Sequence, residues 1–103
     1  MASGTAQPNY HSQLAANEID VVTIQNAGAP AYEIINDDGI ARIDYTIDGS
    51  TPVVGGSKTG RCLPACICID TITVNPNGST RVQLISASTP HYSIEAVAGP
   101  EPI

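Results

Sequence analysis

Along much of this chain apolar and polar residues alternate with a period of two, and turn-forming residues interrupt the pattern at intervals of about ten residues. The clearest stretch runs from Ile43 to Pro52. Ile43, Tyr45 and Ile47 fall on one face of a strand and Asp44, Thr46 and Asp48 on the other, which predicts one apolar and one solvated side. Asp48-Gly49-Ser50-Thr51-Pro52 then supplies turn chemistry, with a proline that cannot continue a central strand.

Similar runs predict strands over Ile19–Ile24, Tyr32–Ile35, Ile40–Ile47, Arg61–Ile69, Thr71–Val74, Thr80–Ser86 and Tyr92–Val97. Breaks fall at Asn26–Pro30, Asn36–Gly39, Asn75–Gly78 and Ser88–Pro90, and Pro64 marks an edge or a bulge. Residues 53–60, with three glycines, predict a loop that carries recognition or nothing at all. No stretch has helical periodicity. The fold predicted is all-β: a single small antiparallel β-sandwich, of jelly-roll or immunoglobulin-like type, over residues 18–97. The short link between the last two strands predicts that they pair as an antiparallel hairpin. Residues 1–17 lack periodicity and read as an extended N-terminal arm, and residues 98–103, with two prolines, as an extended tail.

Composition adds a constraint. The chain has no Phe or Trp, four Tyr and one Met, so the core must come from smaller aliphatic side chains. A core without large aromatics gains from assembly, which predicts a homo-oligomer or docking on a larger body. Tyr10 and Leu14 in the arm, Lys58 in the glycine-rich loop, and Pro100 and Pro102 in the tail are the candidate partner contacts. A formal charge of −6, with Arg42, Lys58, Arg61 and Arg81 scattered, argues against nucleic acid and for solubility or a basic partner surface. No apolar run reaches the length of about 20 residues that spans a bilayer, and residues 1–17 do not read as a secretion signal, so no membrane partner is expected and synthesis is placed in the cytoplasm.

Three residue groups invite chemistry. Cys62, Cys66 and Cys68 place three thiols in seven positions. Zinc needs about four ligands, and His11 and His91 stand at no recognised spacing, so the thiols read as buried and inert, or as a Cys62–Cys66 or inter-subunit disulfide. A thiol paired with His91 would be needed for hydrolysis, but His91 beside Pro90 reads as an exposed strand start. Asp37, Asp38, Asp44 and Asp48 lack the ligand pattern of a calcium loop, and Asp38-Gly39 and Asp48-Gly49 read as turns. No catalytic residue, metal or cofactor is expected.

Ile43-Asp-Tyr-Thr-Ile-Asp-Gly-Ser-Thr-Pro52 resembles a turn in the immunoglobulin-like accessory domains of bacterial chitobiases. A longer resemblance joins Val21-Val-Thr-Ile-Gln-Asn-Ala-Gly28, Asp44–Pro52, Leu63-Pro-Ala65, Ser79–Ser86 and Tyr92–Val97. Together these are similar to small virion proteins of tailed bacteriophages, with Cys66-Ile-Cys68 standing where that family has polar residues. The resemblance implies a non-enzymatic β-sandwich, often trimeric, that decorates the capsid by binding the major capsid protein and stabilises the shell. A recognition module, carbohydrate-binding or host-binding on a phage tail, is the alternative.

Overall fold

The computed structural model describes residues 3–6, 9–24, 31–56, 60–74 and 78–96. Among them are nine strands: β1 (Ser3–Ala6), β2 (Asn9–Gln13), β3 (Asp20–Ile24), β4 (Ala31–Asn36), β5 (Ile43–Thr46), β6 (Arg61–Leu63), β7 (Cys68–Thr73), β8 (Thr80–Ile85) and β9 (His91–Ala96). They form two sheets, ordered β1-β3-β8-β5-β6 and β2-β9-β4-β7. From β2 to β9 the chain switches sheets at every step except β5 to β6, which gives the second sheet and the β3-β8-β5-β6 part of the first the strand order of a jelly roll. The all-β sandwich expected from the alternation is the fold observed. β1 adds to the edge of the first sheet in parallel with β3, while every other pair is antiparallel.

Inward residues of both sheets build the core. Val22, Ile34, Ile43, Val82, Leu84 and Ile94 are fully buried, and Tyr32, Tyr45 and Tyr92 supply the bulk that Phe and Trp would otherwise bring. Two tyrosine hydroxyls reach acidic partners: Tyr92 donates to Asp20 Oδ2 at 2.9 Å, and Tyr45 donates to Asp70 Oδ2.

Of the segment expected as an extended arm, Ser3–Ala6 and Asn9–Gln13 are extended and lie along the two sheets as edge strands. Tyr10 packs on Tyr92, with ring centroids 6.2 Å apart, and its ring covers Gly4 so closely that a Cβ there would sit 2.1 Å from Tyr10 Cε1. Leu14 is 1% exposed.

Three expectations need correction. The last two strands do not pair: β8 and β9 lie in different sheets, because Ser86–Pro90 forms an arch rather than a hairpin turn. Leu14 N–H donates to Pro90 O at 3.0 Å, Asn17 N–H to Ser86 O at 2.7 Å, and the Ser86 hydroxyl to Arg42 O at 2.7 Å, so neighbouring segments hold the arch. The polar side of β5 is not solvated, since Asp44 and Thr46 are buried under the following loop. Gly55 N–H donates to Asp44 Oδ2 at 3.0 Å, the Arg42 guanidinium approaches Asp44 Oδ1 at 2.8 Å, and the Thr46 hydroxyl donates to Ser50 O at 2.6 Å, which satisfies those polar atoms. Finally, Arg61–Ile69 is not continuous, because the chain leaves β6 at Pro64 and re-enters a sheet at Cys68.

Candidate docking face

On the outer side of the second sheet, the cross-strand register sets His11, Ser93, Ile35 and Ile69 in one row and Asn9, Glu95, Glu33 and Thr71 in the next. Strands from both ends of the chain meet in these rows. Glu33 and Glu95 are direct neighbours on adjacent antiparallel strands, an arrangement of like charges that costs stability. β2, β4, β7 and β9 contain no Lys or Arg, whereas Arg61 and Arg81 are exposed on the other sheet. The second sheet therefore presents an acidic face.

At one end of this face two loops pack backbone to backbone. A Cβ on Gly39 would lie 2.7 Å from the carbonyl carbon of Cys66 and 2.8 Å from Ile67 N, and Asn36 Nδ2 donates to both Ala41 O, at 2.8 Å, and Pro64 O, at 3.0 Å. Each loop carries a bare isoleucine: Ile40 is 59% exposed and Ile67 73%, and Ile69, at the start of β7, is 57% exposed. The result is an apolar end beside acidic rows.

A hydrogen-bonded His–Ser–Asp array crosses the same face. Ser93 has outward parity yet is buried, because His11 and Asp37 close over it. The Ser93 hydroxyl donates to Asp37 Oδ2, so His11 Nδ1–H donates to Ser93 Oγ at 2.6 Å, while His11 Nε2 lies 3.6 Å from Glu95 Oε1. In this order of donors the array works as a tie between β2, β9 and the 37–38 turn. His91 Nδ1–H and its backbone N–H both donate to Asp38 Oδ2, at 2.8 and 3.0 Å. The bonds from the His91 ring and backbone hold the Asp38 carboxyl below its ordinary range. The reading of His91 as an exposed strand start agrees with its place as the first residue of β9.

Against the expectation of buried thiols, two of the three lie at the surface, and the third, Cys68, packs against the core while half-buried. Cys62 is exposed on the edge strand β6, Cys66 is exposed in the connecting segment beyond Pro64, and Cys68 opens β7. Among the described residues, no thiol is hydrogen-bonded to an imidazole and no group of acidic, His and Cys side chains is placed to hold a metal.

Of the predicted partner contacts, Leu14 is committed to the chain's own core and Tyr10 is half-buried against Tyr92. Lys58, Pro100 and Pro102 lie outside the described residues, as does the tail 98–103. The sequence reading missed Ile40, Ile67 and Ile69. Its usable signal was the Cys66-Ile-Cys68 run beyond Pro64, where an isoleucine stands in a bend instead of an alternating strand.

No family model and no curated protein matches the chain. Solved structures do. A de novo designed double-stranded β-helix is similar over 86% of this chain and 97% of its own, with TM-score 0.56 and 10% identity. The pre-peptidase C-terminal domain of collagenase from Bacillus anthracis is similar over 92% of this chain and 94% of its own, with TM-score 0.50 and 14% identity. The likeness is one of fold.

Proposed function

We propose that this chain is a non-enzymatic structural protein of a virion, which decorates the capsid by seating the second sheet and its isoleucine end on a basic-rimmed site of the major capsid protein. The observation that carries the reading is the pairing of three bare isoleucines with an acidic face that has no Lys or Arg on its strands. An exposed apolar patch with a charged surround is what a docking surface requires, and opposed Glu33 and Glu95 gain when a partner cation lies over them. The jelly-roll strand order is shared by viral capsid and lectin domains, so fold alone leaves both classes open. The tyrosines weigh against sugar: Tyr32, Tyr45 and Tyr92 are fully buried and Tyr10 is half-buried, which leaves no free aromatic platform among the described residues. A trimeric state follows from the resemblance to phage decoration proteins and belongs to the same proposal.

Co-sedimentation with purified capsid shells tests the reading. The double variant Ile67→Asp/Ile69→Asp should lose tenfold or more in attachment, since burying each isoleucine is worth about 1.5–3 kcal/mol and about 1.4 kcal/mol is tenfold in affinity. The single variant Ile67→Asp, at a bend position 73% exposed, should unfold as the parent does and separates loss of contact from any cost of Asp at position 69 in β7. Absence of the parent protein from shells sinks the proposal, and full attachment of the variant moves the contact elsewhere.

A further inference from the structure

The connection between β6 and β7 holds two thiols that face each other across a single residue. Cys66 N–H donates to Pro64 O at 2.7 Å, which bends the chain, and the Cys68 thiol turns back to donate to Cys66 O at 3.2 Å and Pro64 O at 3.5 Å. Partial burial, followed by hydrogen bonding with the Cys66 thiol and the nearby Cys66 charge, pushes the Cys68 thiol up to about 11. Residues two apart span about 7 Å at full extension and less across a bend, within reach of the Cα separation of about 4.4–6.8 Å that a disulfide takes.

We propose that Cys66 and Cys68 form a reversible dithiol–disulfide modification site, closed by a low-molecular-weight disulfide such as oxidised glutathione. The exposed Cys66 thiolate attacks one glutathione sulfur, the glutathione S–S bond breaks, and one glutathione thiolate leaves. Cys68 gives its proton to water and its thiolate attacks the Cys66 sulfur, displacing the second glutathione. Two protein thiols are oxidised and one glutathione disulfide is reduced to two thiols. The bridge closes around Ile67, the most exposed isoleucine of the docking end, and holds the bend that presents it. The chemistry stands on the connection alone; only its effect on attachment rests on the docking reading.

Free-thiol titration and peptide mass mapping of the whole protein, after equilibration with oxidised glutathione, test the site. Mapping should return a peptide linking Cys66 to Cys68, with Cys62 either free or capped by glutathione, and dithiothreitol should restore all three thiols. Cys62→Ser should close as completely as the parent, whereas Cys66→Ser and Cys68→Ser should stop at a glutathione adduct. Accumulation of glutathione adducts without a bridge in the parent, or a bridge that uses Cys62 or a second copy, would overturn the proposal. Mapping of the parent alone already distinguishes these results, so the test does not depend on how the variants fold.

Discussion

Three buried tyrosines give this core its bulk, and their hydroxyls have different surroundings. Tyr92 donates to Asp20 in the interior, while the Tyr32 hydroxyl is buried with no hydrogen-bond partner among the described residues. An unpaired buried hydroxyl costs its desolvation, so Tyr32→Phe should stabilise the protein by about 1 kcal/mol, and Tyr92→Phe should destabilise it by about 1–3 kcal/mol. Urea unfolding of the two variants beside the parent measures both, and equal effects would contradict the pairing. Burial, then the hydrogen bond to an acidic partner, raises the phenols of Tyr45 and Tyr92 above their ordinary value. A phenol whose folded pKa is raised keeps its proton longer in the fold than in the unfolded chain. Its contribution is therefore complete below about pH 10 and falls as pH rises through the folded value, so unfolding midpoints should drop above about pH 10. At this scale the alternation identified Ile43 and Tyr45 as core. It misassigned Asp44 and Thr46, because a period of two reports which side of a strand a residue takes and not what later folds over that side.

Elements end where the turn residues said they would, within a residue or two in most cases, but the one strand pairing read from the sequence, between the last two strands, was wrong. Ser88-Thr89-Pro90 looks the same whether the chain returns beside its own strand or arches to the other sheet. The arch is chosen by Leu14, Asn17 and Arg42, which are far from it in sequence. The 36–42 turn makes the point in energetic form. Gly39 has φ 66°, and a Cβ there would meet the backbone of Cys66 and Ile67. The left-handed conformation alone costs a non-glycine residue about 1–2 kcal/mol, so Gly39→Ala should lose more than that and should also disturb the loop carrying Ile67. Thermal unfolding reads the first effect, and a loss no larger than the backbone cost would show that the two loops can part.

At the surface, the strands of the first sheet expose Arg61 and Arg81, its Asp20 and Asp44 being buried, while the outer rows of the second sheet carry Glu33 and Glu95 and no Lys or Arg. That face was illegible in the sequence, since its rows combine β2, β9, β4 and β7, which are scattered from one end of the chain to the other. The cost of opposing Glu33 and Glu95 suggests a trade between stability and attachment. Glu33→Gln should stabilise the free protein by about 0.2–1 kcal/mol and slow its association with shells, most visibly at low salt. Denaturation and association kinetics of this one variant check both halves; a faster association would reverse the assigned orientation.

β2 is made some eighty residues before the strand it joins, as the His11–Ser93 bond across 82 positions records. Until β9 emerges, β2 has a complete hydrogen-bonding edge and nothing of its own to pair with. The register it then takes up runs from Asn9 against Glu95 to Gln13 against His91. The second sheet therefore closes only once the last described strand is in place, so the pairing with the longest sequence separation in that sheet is also the one that must form late.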